Sequence, residues 1–260
     1  MKNILIPFVS ALFLLIGMES VIYGMHSLSV GTASFWKSLY VAGFLIFVQG
    51  VLIAKVSHAK RDFLWFAVIM ILSFCASGLL IFVDSVVAQQ SITLIASVLL
   101  FLSMREYRNF DQGKEKLSAR SVLFMAHFAG IFFFFTVSYA FHVNISIPQW
   151  FLMGAFFFFP FLISAHSFLL TQPGNARLAL IYAFIMGIVF MQLAWIIHFW
   201  PFGYLTTGVI MLVMFYTLWD LFQSHLEGDI RYQRFLANIL LLVVLSSIVL
   251  LSSPWEIIRG

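Results

Sequence analysis

The chain has 260 residues, of which 63% are hydrophobic and only 9% are charged. Because soluble domains carry about 25% charged residues, this composition excludes an ordinary soluble globular protein, which needs polar side chains to cover its surface. The formal net charge of +4 is small and does not indicate a nucleic-acid partner. We therefore expect an integral membrane protein whose main partner is the lipid bilayer.

Nine apolar segments follow one another along the chain, each close to the roughly 20 residues that a helix needs to cross the hydrocarbon core. The first continues past Tyr23 without a convincing cleavage site, so we expect a retained helix and not a signal peptide. The predicted fold is therefore all-α, a polytopic membrane bundle of about nine transmembrane helices in a single domain, 1–260. The nine predicted segments are 4–26, 37–54, 63–83, 86–104, 121–143, 150–170, 176–198, 203–222 and 235–253.

Lysine and arginine are distributed unevenly over the gaps between these segments. With the N-terminus in the cytoplasm, all 14 of them except Lys37 and Arg259 lie in cytoplasmic gaps. Many lie in a charged cytoplasmic loop predicted over 105–120, which is too short to form a soluble domain. The positive-inside rule therefore predicts a cytoplasmic N-terminus and an external C-terminus. We expect a multi-pass protein of a cell membrane, in particular a bacterial inner membrane.

The loop at 105–120 also separates four predicted helices from the remaining five. The first predicted helix ends in Tyr23-Gly24-Met25-His26 and the fifth ends in Tyr139-Ala140-Phe141-His142. A tryptophan follows each of these endings within ten residues. This similarity suggests a parallel 4+4 repeat followed by one more helix.

Several residues indicate how the predicted helices pack. Ala126 with Gly130, and Ala183 with Gly187, are pairs of small residues that allow close helix approach. Pro160 predicts a kink in the sixth helix. Polar side chains within apolar segments are expected to form hydrogen bonds between helices; these are Gln49, Gln192 and Asn238.

Glu19 lies within the first predicted helix, where a charged side chain is expensive: about 2.5–3.5 kcal/mol at the bilayer centre on insertion scales. Glu19, Tyr23 and His26 share one face because they are spaced i, i+4 and i+7. They predict a polar pocket near the outer face. Two interpretations of Glu19 stay open, a hydrogen-bonded interfacial acid and a proton- or cation-binding group. Further pocket candidates at outer helix ends are Asp84, His142 and His198.

No cofactor is predicted, although the histidines leave two alternatives open. The outer histidines with Asp84 form a set that suits a divalent metal, but no two have a recognised metal-binding spacing. His127 and His166 lie toward the predicted inner face. Together with His142 and His198 they allow a bis-histidine haem interpretation. Separate histidines at the ends of different helices are the simpler interpretation.

Tyr216 and Asp220 are the remaining inner-face candidates. They are spaced i, i+4 on the eighth predicted helix and therefore share a face. We expect Asp220 to pair with Arg231 or Arg234 in the following loop.

The chain contains no HExxH, GxSxG, Walker or dinucleotide-binding motif, so no enzymatic activity is predicted. The favoured function is a carrier or channel-like protein for a small solute, an ion or a lipid. Glu19, the kink at Pro160 and the suggested repeat support it. A haem- or metal-binding redox protein and a non-catalytic scaffold that contacts a membrane protein partner are the alternatives.

Overall fold

The computed structural model describes residues 2–26, 40, 43–44, 46–51, 63–111, 117–145, 147–171, 173–197, 199–200, 202–228 and 232–252. Within these ranges the regular structure is entirely helical, without a strand. Residues 46–51, part of the second predicted segment, are helical. The longer helices are α1 (Lys2–His26), α2 (Phe63–Leu79), α3 (Val86–Asp111), α4 (Leu117–Ile145), α5 (Gln149–Thr171), α6 (Ala176–Ile197), α7 (Tyr204–Glu227) and α8 (Tyr232–Ser252).

Among the described helices, seven are long and apolar enough to cross a membrane, namely α1 to α7. The helix α8 contains a shorter apolar stretch, Phe235–Val249. The chain is therefore an all-helical membrane protein, as its composition predicts. Much of the second predicted segment lies outside the described residues, so the number of nine spans and the orientation stay predictions.

The helix α3 continues beyond 104, where its apolar segment was predicted to end, and reaches Asp111. Polar side chains interact along this extension. The Asn109 amide donates a hydrogen bond to Glu106 Oε2 at 3.0 Å, and Arg105 Nε lies 3.7 Å from Glu106 Oε1. Hydropathy indicates where a helix leaves the apolar phase, whereas backbone hydrogen bonds decide where it ends. Part of the region predicted as a loop is thus helical.

The chain divides into two compact units, Met1–Gly130 and Ile131–Gly260, with the division inside α4. In the first unit, α1 and α2 both pack against α3. Trp65 of α2 stacks on Tyr107 of α3 with ring centroids 4.2 Å apart. Gly130 of α4 lies against Leu72 of α2. The helix α3 is therefore the central element of the first unit.

The turn between α2 and α3 is held by one side chain. The Gln89 amide nitrogen donates to the carbonyl oxygens of Val83, at 2.7 Å, and of Leu80, at 3.4 Å. Carbonyl groups near a helix C-terminus lack partners within the helix. Gln89 therefore stabilises the sharp reversal between the two helices.

In the second unit, α5 packs along α6, and α7 packs against α8. A Cβ atom added at Gly187 of α6 would lie 2.9 Å from the Phe157 carbonyl oxygen of α5. This close approach confirms the packing predicted for the pair Ala183 and Gly187, since only glycine leaves the space. The core of the unit includes five fully buried phenylalanines, and five pairs of these rings have centroids 5.1–5.5 Å apart. It contains Phe134, Phe135, Phe156, Phe190 and Phe215.

Candidate functional site

In the first unit, Glu19 is half-buried and reaches a neighbouring helix. Its Oε2 accepts a hydrogen bond from Gln90 Nε2 of α3 at 3.3 Å. Tyr23 and His26, which share the predicted stripe with Glu19, are exposed. Asp84 is exposed in the turn between α2 and α3. The stripe therefore lies toward the surface of the described chain, with Glu19 as its inner end.

In the second unit, His142 is half-buried near the end of α4, where its Nδ1 donates to the Ile147 carbonyl oxygen at 3.0 Å. Nearby on the same helix, the Tyr139 hydroxyl donates to the Trp200 carbonyl oxygen at 3.1 Å. His198 lies outside the described residues. Within the described ranges, no group of three or more His, Cys, Asp or Glu side chains is placed to hold a metal ion. A site that includes His198 stays a prediction.

The two inner histidines are both buried. His127 of α4 donates through Nδ1 to the Leu123 carbonyl oxygen, one turn earlier in the same helix. His166 lies on α5, in the second unit. The inner pair of the haem interpretation, His127 with His166, is thus divided between the two units. The haem interpretation also stays a prediction.

Asp220 is buried on α7 and bonds to the following helix. Asn238 Nδ2 of α8 donates to Asp220 Oδ2 at 2.6 Å. This contact confirms Asn238 as an interhelical hydrogen-bonding residue and gives Asp220 a described partner other than the expected arginines. Arg231 and the side chain of Arg234 lie outside what the structure describes. Tyr216, one turn before Asp220, is half-buried.

A second contact ties α7 to α5. Trp219 Nε1 donates to Ser167 Oγ at 2.7 Å. Because Asp220 follows directly and bonds to α8, this part of α7 joins three helices. Ionisable residues within membranes are costly and face protein partners. The arrangement gives Asp220 a clear structural role.

The first unit contains a larger group of buried polar side chains. Three of them lie on α3 at i, i+4 and i+8, so they share one face of that helix. The others lie on α1, on α2 and in the helical residues 46–51. Each is more than nine-tenths buried, and each has a side-chain oxygen that makes no hydrogen bond within the described part of the chain. We call this group the polar seam; it consists of Ser10, Gln49, Ser77, Gln89, Thr93 and Ser97.

The hydroxyl groups of the polar seam differ from other helical hydroxyls of the same unit. A buried serine in a helix commonly donates to a carbonyl oxygen in the preceding turn. Ser73 does so to Ile69 at 3.0 Å, and Ser103 does so to Leu100 at 3.0 Å. The four hydroxyls of the polar seam form no such bond. They therefore keep both their donor and their acceptor capacity.

The side-chain nitrogens of the two glutamines of the polar seam donate hydrogen bonds to other groups of the protein. Gln49 Nε2 donates to Ser73 Oγ at 2.8 Å, which confirms the interhelical role predicted for Gln49. Gln89 Nε2 donates to the carbonyls of the α2–α3 turn. The two Oε1 atoms remain without a bond among the described residues. Gln192, predicted to act in the same way, is exposed.

The hydrogen bond between Glu19 and Gln90 shows how α1 and α3 are aligned along their helix axes. Glu19 lies near the C-terminal end of α1 and Gln90 near the N-terminal end of α3. The rest of α1 can therefore run along α3 only if the two helices are antiparallel. With a rise of about 1.5 Å per residue, Ser10 falls within about 3 Å of the depth of Ser97.

The stack of Trp65 on Tyr107 gives the corresponding register for α2 and α3. These helices are antiparallel because the chain reverses at residues 83–85 between them. Counting from the stacked pair at about 1.5 Å per residue, Ser77 falls between Thr93 and Ser97. Gln49 reaches the same depth range through its bond to Ser73.

The polar seam thus lies deep within the apolar helices. Ser97 is at the middle of the membrane-capable stretch Val86–Tyr107, and Gln89 lies about 12 Å toward the Asp84 end. Of the seam residues only Gln49 was named from the sequence; the serines and the threonine were inconspicuous because these residue types are common in transmembrane helices. The spacing of Gln89, Thr93 and Ser97 on one helix face was the available signal.

Residues 58–252 match the model of a family described as protein of unknown function, DUF5656. The match covers α2 to α8 and includes four residues of the polar seam, Ser77, Gln89, Thr93 and Ser97. Comparison with curated proteins and with solved structures gave no match. Because the matched region is more than half of the 260 residues, the chain belongs to the DUF5656 family.

Proposed function

We propose that the protein is a carrier or channel-like protein that moves a small solute across the membrane along the polar seam of its first unit. The observation that supports this proposal is the set of six buried, unbonded polar oxygens on neighbouring helices. Burying a polar group without a hydrogen bond costs roughly 1–3 kcal/mol by protein mutational data. At a structural helix interface an unbonded hydroxyl adds nothing that a small apolar side chain would not supply, whereas a path for a polar solute requires hydrogen-bonding groups.

The position of the polar seam supports the same function. Solute sites of many transporters lie near the bilayer midplane, and Ser97 lies at the middle of its membrane-capable stretch. Glu19 and Gln90 lie at about the depth of Gln89, the seam residue closest to the Asp84 end. Under the predicted orientation this end is the outer one, so Gln89 is the seam residue that a solute entering from outside would meet first.

Cysteine accessibility tests this proposal without knowledge of the solute. Thr93→Cys and Ser97→Cys are introduced separately into a Cys75→Ala background, since Cys75 is the natural cysteine. The purified variants are placed in liposomes and treated with a charged, membrane-impermeant methanethiosulfonate from outside or inside. Leu94→Cys and Val98→Cys are matched controls, because these neighbouring side chains are exposed on the outside of α3.

We expect Thr93→Cys and Ser97→Cys to be modified from at least one side, since water enters a solute path. The two control cysteines should resist modification, because they face lipid. Mass spectrometry of the intact protein measures the extent of modification. Seam cysteines that resist the reagent from both sides as strongly as the controls do would overturn the proposed function.

A further inference from the structure

We infer that the solute bound by the polar seam is a small, uncharged molecule rich in hydroxyl groups, a short polyol. This inference rests on the proposed function and specifies the chemical class of its substrate. Its basis is the set of hydrogen-bond donors and acceptors that the six side chains offer, together with the absence of charge among them.

The polar seam consists of serine, threonine and glutamine, which are neutral. A charged solute at the centre of a bilayer is costly and is normally balanced by a protein charge. The acid nearest along α1 is Glu19, which lies about 4–5 Å farther toward the Asp84 end than Thr93 in the antiparallel register and already accepts a bond from Gln90. A neutral solute therefore fits the middle of the polar seam better than an ion.

The available donors and acceptors narrow the solute class further. Four hydroxyl groups each offer one donor and two acceptor positions, and the two amide oxygens offer acceptors only. A metal cation would use the acceptors and leave the hydroxyl donors unmatched, and an anion would leave the amide oxygens unmatched. Hydroxyl groups on the solute match both, because each of them donates and accepts.

The spacing along α3 suits a short solute. Gln89, Thr93 and Ser97 follow one another at intervals of one helical turn, about 6 Å along the axis. Ser10 and Ser77 supply hydroxyls from the two helices that pack against α3. A short polyol can therefore contact two neighbouring groups of α3 at once and pass from one turn to the next.

Stopped-flow light scattering of proteoliposomes tests the inference with glycerol and erythritol as probes. After mixing with either polyol, vesicles shrink and then swell again as the polyol enters. We expect the wild type to swell again faster than protein-free liposomes, and Thr93→Val with Ser97→Ala to remove this difference. Ser91→Ala and Ser103→Ala are controls, because these hydroxyls bond to their own helix, and they should behave as the wild type.

A second measurement keeps the test valid if the double variant misfolds or if the protein does not conduct passively. Erythritol should slow the modification of Ser97→Cys by methanethiosulfonate, whereas sodium chloride should not. The inference is overturned if neither polyol enters faster nor protects, if only water permeability rises, or if sodium ions protect instead. If Ser97→Cys is modified by the reagent, each of these results overturns the polyol inference but leaves the proposed path intact. If no seam cysteine reacts, the path itself is refuted.

Discussion

The Glu19 carboxylate and the Gln90 amide, 71 residues apart in sequence, are joined by a hydrogen bond of 3.3 Å. This bond marks the register in which α1 packs on α3, and in that register Ser10 lies at about the depth of Ser97. A shift of α1 by one helical turn would move Ser10 by about 5.4 Å and separate it from the other hydroxyls of the polar seam. The composition of the proposed path thus depends on a contact near the end of α1.

Cross-linking tests this register. In a Cys75→Ala background, Ser10→Cys combined with Ser97→Cys should form a cross-link with a short bismaleimide, because both side chains are buried at similar depth on two helices that pack together. Leu12→Cys with Ser97→Cys should not, because Leu12 is exposed and points about 200° around the helix from Ser10. Electrophoretic mobility under denaturing conditions measures the product. Equal cross-linking of the two pairs would contradict the register.

Removing polar groups from the seam should stabilise the fold. Thr93→Val with Ser97→Ala deletes two buried hydroxyls that lack partners among the described residues. In the solute-free state, where protein atoms cover both oxygens, we expect the free energy of unfolding to rise by about 1–3 kcal/mol for each hydroxyl removed, because its desolvation penalty disappears. Ser103→Ala, which removes a bonded hydroxyl, should cause no rise. Unfolding curves in detergent compare the wild type, the double variant and Ser103→Ala. A clear loss of stability in the double variant would show that the two hydroxyls form hydrogen bonds in the folded protein.

Asn238 should stabilise the attachment of α8. Replacing it by alanine removes the 2.6 Å bond to the buried Asp220. Loss of one partner of a buried hydrogen bond costs about 1–3 kcal/mol, and we expect the free energy of unfolding to fall by this amount. Leu240→Ala on the same helix removes an exposed side chain and should cost less. Thermal unfolding in detergent separates the two variants; equal stability would assign Asn238 no such role.

Gly208 should tolerate no larger side chain. A Cβ atom there would overlap Thr136 Oγ1, so Gly208→Ala forces the helices apart or displaces Thr136. Overpacking of this kind costs typically about 1–3 kcal/mol. Gly154→Ala is the matched control in α5, since nothing lies within 4 Å of the added atom. Adding Thr136→Ala to Gly208→Ala should recover part of the lost stability, and failure to recover any would place the strain elsewhere.

Several features of the fold follow from local properties of the chain. Apolar segments predict transmembrane helices wherever they occur, because the cost of exposing apolar side chains to water does not depend on their neighbours. The polar residues Gln49 and Asn238 indicated helix contacts, because a polar side chain in an apolar segment forms hydrogen bonds to another helix. Gly187 indicated close packing, because glycine has no side chain to keep two helices apart. Helix ends were less predictable: α3 continues past its apolar segment to Asp111, because backbone hydrogen bonds and not hydropathy decide where a helix ends.

The candidate site was predictable only in part. Glu19 was conspicuous because a carboxylate is costly in any transmembrane helix. Asp220 was equally conspicuous; it accepts a bond from Asn238, a neutral residue on the next helix, and its pairing with Arg231 or Arg234 stays a prediction. The histidines drew attention as possible ligands, yet among the described residues no group of three or more potential metal ligands is placed to hold an ion.

The sequence by itself determined that this protein lives in a membrane, since too few charged residues exist to form a water-facing surface. It did not distinguish Ser97 from Ser103, because either hydroxyl can satisfy itself on its own helix. The tertiary structure made that distinction: Ser103 bonds to its own backbone, whereas Ser97 does not. Whether a neutral polar group is satisfied depends on the helices packed around it, and those contacts form only on folding.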